Sequence, residues 1–207
     1  MLALGVVLAA ASCAPTSRVE APVTAGPDTP PASSTAYSKP LDIDDPARQP
    51  DSVYWVTPNV IVDRMLEAAE VKSTDVVYDL GSGDGRLVIA AAKKYGARGV
   101  GYEIDGKLVD EANLRAKELG VAHLVHFERK DIFTVDLSAA TVITVYLLPV
   151  VLEQLIPQFN KMKPGSRIVS HNYPMPGVEP DKILNAHLED SQHFLLLWHP
   201  PLKVTKR

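Results

Sequence analysis

The chain of 207 residues has a single cysteine, Cys13. That excludes an intrachain disulfide and any zinc site built from cysteines. It has no surplus of positive charge: the net charge is −4 and the pI about 5.8. Such a balance argues against a chain built for nonspecific nucleic-acid binding, and no nucleic-acid partner is expected. The apolar run Met1–Ala11 falls short of the roughly 20 residues that a membrane-spanning helix needs. No internal repeat stands out, and no insertion is large enough to form a separate substrate domain. The histidines show no metal-ligating pattern. His123 and His126 are three apart on an expected strand and would face opposite sides.

What is present is a 46% apolar chain, enough to bury one core plus extra segments. Residues 1–13 read as a secretory signal core with a small-residue cleavage site. Ala10-Ala11-Ser12-Cys13 also resembles a bacterial lipoprotein box, which would make Cys13 the lipidated residue. Residues 14–50 hold eight of the 17 prolines among Ser, Thr and Ala. Such a stretch buries too little apolar area to offset its ordering entropy, and reads as an extended linker. A tether behind Cys13 is what a lipid-anchored domain needs. The expectation is therefore an exported, membrane-anchored protein. No Lys or Arg precedes the apolar run, and the alternative is a cytoplasmic protein whose start is misplaced. Residues 51–207 are expected to form the globular domain.

The most informative stretch is Asp79-Leu80-Gly81-Ser82-Gly83-Asp84-Gly85. An apolar run precedes it and a helix-like run from Arg86 follows. Strand, glycine turn and helix in that order build a nucleotide-type cofactor site. Acids at both ends of the turn suit a ligand with ammonium and hydroxyl groups and would repel a phosphate. A dinucleotide fingerprint reads G-x-G-x-x-G; here Arg86 stands where the third glycine would fall. Glu103 ends the next strand-like run, close to the ~20-residue offset of a ribose-binding carboxylate.

These residues carry a resemblance. Val77–Gly85 resembles the first motif of class I S-adenosylmethionine-dependent methyltransferases. Glu103 matches that family's ribose acid. Glu128-Arg129-Lys130-Asp131-Ile132 resembles its third landmark, where the Asp side chain and the next backbone amide read the adenine. The resemblance implies S-adenosylmethionine as cofactor, held by Asp79, Gly81, Ser82, Gly83, Asp84, Gly85, Glu103, Asp131 and Ile132. Taken singly, the turn also fits a plain strand–helix connection, Glu103 a solvated strand-end acid, and Asp131 a helix N-cap or turn residue.

A pass along the domain agrees with that fold. Helices are expected at 58–71, 86–95, 106–119 and 150–162. Strands are expected at 76–80, 99–103, 124–127, 142–147 and 167–170, with a closing hairpin at 186–190 and 194–198. Thr57-Pro58 reads as a cap followed by proline at the first helical position. The whole is an α/β domain, Rossmann-like in the class I methyltransferase manner. It has a seven-stranded, mostly parallel sheet with helices on both faces and a C-terminal antiparallel hairpin.

The acceptor side is less defined. Tyr146-Leu147-Leu148-Pro149 sits where this superfamily places its acceptor motif. It lacks the Asn or Asp followed by two prolines of adenine and glutamine amino-methylases. Together with Tyr54-Trp55-Val56-Thr57-Pro58, it resembles bacterial relatives of the ATP synthase c-subunit lysine methyltransferases, and more distantly the Dot1-like enzymes. That resemblance implies protein lysine as acceptor, with Tyr54, Trp55, Thr57 and Pro149 on the substrate side. Tyr146 and His171 are the candidate catalytic residues, His171 as a general base. Tyr146 also fits a core aromatic, Trp55 a staple on the first helix, and His171 a satisfied structural histidine. Two other functions stay open at this point: a non-catalytic envelope lipoprotein that keeps the fold, and a nicotinamide oxidoreductase.

Overall fold

A computed structural model describes residues 55–188 and 191–205. Cys13, Tyr54, the signal-like segment and the linker lie outside the described residues.

The chain runs α1 (Asn59–Ala68), β1 (Val76–Leu80), α2 (Arg86–Tyr95), β2 (Arg98–Glu103), α3 (Gly106–Glu118) and β3 (Val125–Arg129). A 3-10 turn (Ile132–Thr134) precedes β4 (Val142–Val145), α4 (Pro149–Phe159), β5 (Arg167–His171), β6 (Lys182–Leu188) and β7 (Ser191–Trp198). The seven strands form one sheet in the order β3-β2-β1-β4-β5-β7-β6. The first five are parallel, and β7 runs antiparallel to both β5 and β6. This is the sheet expected from the sequence, closing hairpin included.

Alternation along each strand divides the core between two faces. Val77, Val142, Val169, Leu195 and Leu197 point to one face, against Ile61, Val62, Met65 and Leu66 of α1 and Leu87 and Ala91 of α2. Val125 and Phe127 extend that layer under α3. Tyr78, Ile143, Ile168, Leu196 and Trp198 point to the other face, against Leu152, Leu155 and Phe159 of α4. The central strands are buried on both faces, which explains their nearly unbroken apolar runs.

Several boundaries differ from the expectation. β4 ends at Val145, because its last partners are Leu80 on β1 and Ser170 on β5. Tyr146, Leu147 and Leu148 instead form the connection into α4, and Pro149 is that helix's first residue. His123 lies in a turn before β3 rather than on the strand. Pro58, not Thr57, occupies the cap position of α1, and no side chain caps that helix. β6 begins at Lys182, four residues earlier than expected, because an edge strand alternates exposed and half-buried positions and carries little apolar signal.

In this order β1 lies between β2 and β4, so the chain's connections leave β1 and β4 in opposite directions. Ligands in open α/β sheets bind beyond the carboxyl ends of the strands at such a switch point.

Candidate active site

The glycine turn leaves β1 at that switch point. The Gly81 and Ser82 amides both donate to the Tyr102 carbonyl of β2, at 2.8 and 3.0 Å. The Gly83 amide donates to Glu103 Oε2 at 2.9 Å. Glu103 Oε1 accepts from the amides of Ile104 and Asp105, at 2.8 and 3.1 Å. Glu103 thereby fixes both the glycine turn and the turn into α3. Gly85 caps α2 with φ +76°, and a Cβ there would lie 2.5 Å from the Phe127 ring. Gly101 on β2 makes room for the same ring, since its Cβ would meet Phe127 at 2.3 Å and Ser82 Oγ at 2.6 Å.

Asp79 is buried at the end of β1, and its Oδ1 accepts a hydrogen bond from Thr144 Oγ1 at 2.8 Å. Burial pushes its pKa up to about 7; the Thr144 bond opposes this, and the charges of Glu103 and Asp84 add to it. Asp84, at the other end of the turn, lies in a different setting. It accepts from Arg86 Nε and Nη2 at 2.9 and 2.7 Å, and from Arg115 Nη1 at 2.7 Å. Partial burial raises its pKa, but these hydrogen bonds and charges outweigh it and hold the carboxyl below its ordinary value. The two acids expected to face one ligand are therefore unlike: Asp84 is committed to two arginines, while Asp79 carries a buried carboxyl with one hydroxyl partner in the structure.

Asp131 caps the 3-10 turn, its side chain accepting from the Phe133 amide at 3.0 Å. Its other oxygen, Oδ2, is buried without a hydrogen-bond partner, as is Ser82 Oγ. Buried polar atoms left unpaired cost free energy, and each calls for a ligand or a water. Ile132 begins the 3-10 turn and packs on the main core.

A solvent-open cleft of about 430 Å³ lies over the carboxyl ends of β1 and β4. Asp79, Gly81, Ser82, Asp84 and Arg86 line one side, and Val145 and Tyr146 another. The lead-in to α1 closes it with Trp55, Val56 and Thr57. Pro149, Glu103 and Asp131 are not among its lining residues. Arg86 Nη1 donates to the Thr57 carbonyl at 3.0 Å, so the residue after the glycine turn holds the lead-in in place.

The Thr57 hydroxyl is engaged 114 residues away, with His171 Nδ1 at 3.2 Å. His171 is 1% exposed, and its ring lies 4.1 Å from that of Tyr146. Tyr146 stacks in turn on Tyr173, at 5.7 Å. Burial first, and the charge of neighbouring His193 second, bring the pKa of His171 down to about 3. An imidazole so buried is held in its neutral form at neutral pH.

Sequence reasoning missed Thr144, Arg115 and His193. Thr144 had a signal, being the one polar residue in the run Val142–Val145. Its register partner on β1 is Asp79.

Comparison with known proteins settles the family. Residues 79–182 match the profile of the ANTKMT methyltransferase domain. A protein-lysine N-methyltransferase of Saccharolobus islandicus is 39% identical over 151 residues, covering 72% of this chain and 94% of that protein. The chain belongs to the ANTKMT methyltransferase family. An adenine nucleotide translocase lysine N-methyltransferase of Mus musculus is 39% identical over 105 residues, 50% of this chain and 46% of that protein. The chain thus spans about half the length of the mouse relative. The crystal structure of an RNA methyltransferase from Salinibacter ruber with S-adenosyl-L-homocysteine shares 49% identity. It covers 74% of this chain and 98% of its own, with a TM-score of 0.68.

This ANTKMT-family chain is an S-adenosylmethionine-dependent methyltransferase, and the oxidoreductase and non-catalytic alternatives fall away. The site's chemistry suits that cofactor. A buried carboxyl near Ser82, and an orphaned carboxylate oxygen on Asp131, are acceptors for a ligand rich in N–H and O–H donors.

Proposed function

We propose that the chain methylates lysine side chains of protein. The observation that carries the reading is the pairing of a methyltransferase cleft with relatives named for lysine methylation, including one matched over 94% of its length. The lead-in supports it: Trp55 and Val56 stay 45% and 43% exposed at the cleft, where a polypeptide could lie across them.

In this reading Asp79 takes the cofactor's ammonium group and Glu103 its ribose hydroxyls. An ionised carboxylate offers about four acceptor positions, and three amides use Glu103, which leaves about one position for the hydroxyls to share. Asp131 Oδ2 and the Ile132 amide read the adenine, and Gly81–Gly85 shape the pocket wall. When bound, S-adenosylmethionine supplies an electrophilic methyl group on a sulfonium. The chain's contribution is alignment and exclusion of water. Trp55, Thr57 and Tyr146 border the path by which an amine reaches the cleft; Tyr54 and Pro149 flank it in sequence.

A second reading, an RNA acceptor, is favoured by the description of the Salinibacter ruber protein and opposed by this chain's net charge of −4. Labelled-methyl transfer into a cell extract separates the two. Label that is removed by protease and survives nuclease supports protein; the converse overturns it. The Asp79→Ala variant is the control.

We also propose that Cys13 anchors the domain to a membrane through the 14–50 linker. The support is the lipoprotein-box resemblance and the tether-like composition. Fractionation of wild type against Cys13→Ala tests it. A wild type that fractionates as a soluble protein would contradict it. An exported enzyme would also need its donor supplied outside the compartment in which the donor is made.

A further inference from the structure

A line of hydrogen bonds runs from the cleft to the hairpin, and the lysine reading does not account for it. Thr57 Oγ1 lies 3.2 Å from His171 Nδ1. His171 Nε2 lies 2.9 Å from His193 Nδ1, and His193 Nε2 lies 3.0 Å from Ser191 Oγ. The Ser191 hydroxyl donates to the Leu188 carbonyl at 3.1 Å. That last bond sets the direction of the whole line. Ser191 Oγ has spent its hydrogen, so it accepts from His193 Nε2–H. His193 Nδ1 then accepts from His171 Nε2–H, and His171 Nδ1 accepts from the Thr57 hydroxyl. Along this line each imidazole carries its hydrogen on Nε2 and accepts at Nδ1.

We propose that this chain is a proton relay that drains the acceptor ammonium during methyl transfer, with Thr57 meeting the substrate and His171 and His193 acting through it. The proposal rests on the protein-lysine reading. Transfer of a methyl cation to a lysine ammonium gives a methylated ammonium and releases one proton. In the relay, the ammonium N–H bond breaks and its proton goes to Thr57 Oγ1. The Thr57 hydrogen moves to His171 Nδ1, and the His171 Nε2 hydrogen to His193 Nδ1. The His193 Nε2 hydrogen moves to Ser191 Oγ as the Ser191 hydrogen breaks its bond to the Leu188 carbonyl and passes to water at this partly buried end. The amine lone pair is thereby freed for the methyl group, and no atom in the line gains net charge.

The surroundings suit passage rather than storage. Thr57 lines the cleft, His171 is fully buried, and Ser191 and His193 are only partly buried at the far end. The low basicity of His171 keeps a proton from resting there. Among the described residues, titratable side chains against the line include Tyr146, 4.1 Å from His171, and Tyr173 beyond it. Helix α1 turns Ile61, Val62, Met65 and Leu66 toward β5 and β7, and Ala186 on β6 lies opposite His193.

The test is single-turnover methyl transfer from saturating labelled S-adenosylmethionine to nuclease-treated extract protein, followed from pH 7 to 10. His193→Gln is the key variant, because an amide can keep both hydrogen bonds and cannot pass a proton. Wild type should change little with pH. His193→Gln should be slower by roughly 100-fold at pH 7, within the range that general-base assistance supplies. It should recover about tenfold per pH unit toward the ordinary lysine value near 10.4. Thr57→Val should behave alike, and Thr57→Ser should restore the wild-type profile. Unchanged affinity for S-adenosylhomocysteine shows that the variants fold. A variant that keeps the wild-type rate at pH 7, or loses the same factor at every pH, overturns the relay while leaving the lysine reading intact. A wild type that labels no protein lysine overturns both.

Discussion

Thr144 donates its hydroxyl to Asp79 Oδ1 at 2.8 Å, across the β1–β4 pair where the sheet changes direction. The bond orients a carboxyl that burial has raised to about pKa 7. A group so placed is costly to the protein alone and useful to a cationic ligand. The two effects can be measured apart.

Asp79→Asn should stabilise the free protein and cripple cofactor binding. Above pH 7 the folded chain carries a buried charge whose cost relative to the unfolded chain is about 4 kcal/mol, taking 1.36 kcal/mol per pH unit of displacement. The amide removes that charge at nearly constant volume. Urea unfolding at pH 8 should show higher stability than wild type. Calorimetry should show affinity for S-adenosylhomocysteine weakened by roughly 100-fold.

Proton linkage follows with a definite sign. Between about pH 4 and 7 the folded protein keeps a proton on Asp79 that the unfolded chain has released. Stability from this group is full below pH 4 and is lost as pH rises to 7. His171 runs the other way. Its folded value near 3 lies below the ordinary 6.5, so its contribution is full above 6.5 and is lost as pH falls toward 3. Wild type should therefore vary less with pH over 4 to 6.5 than Asp79→Asn, which should gain stability as pH rises. Cofactor affinity, which needs the ionised carboxylate, should weaken by up to tenfold per pH unit below about 7.

Gly85→Ala should cost more than Gly120→Ala, although both glycines have positive φ, +76° and +72°. A Cβ at Gly120 meets nothing within 4 Å, whereas at Gly85 it meets Phe127 at 2.5 Å. Strain alone costs about 1–2 kcal/mol. Overpacking adds another 1–3 kcal/mol. Thermal unfolding of the two variants side by side checks the difference.

Arg86→Met should loosen the lead-in without dismantling the glycine turn, since Arg115 still holds Asp84. Amide hydrogen exchange should quicken at Ile61 and Val62, whose N–H groups bond to the Pro58 carbonyl. Stability should fall by about 1 kcal/mol.

The glycine turn that leaves β1 was legible because its signals are local. Glycines must stand where φ is positive, and α2 begins and ends on two of them, Gly85 and Gly96. The acceptor half was not, because its contacts join distant segments. Thr57 looks like a helix cap from its neighbours, yet its hydroxyl goes to His171 on β5. His193 has no distinguishing neighbour in sequence and reaches His171 only because β7 pairs with β5. Asp84 reads as a ligand acid until α2 and α3 bring two arginines to it. The run into Tyr146 and Leu147 looks like more strand, and only the length of the neighbouring strands ends it.

The measurement that bears most directly on the account is chemical identification of the product. Protein labelled from methyl-tritiated S-adenosylmethionine is hydrolysed to amino acids, for wild type and Asp79→Ala. The account predicts label co-chromatographing with ε-N-methyllysines in wild type and none with the variant. Label in a methylated nucleoside, or equal lysine label from both proteins, would contradict it.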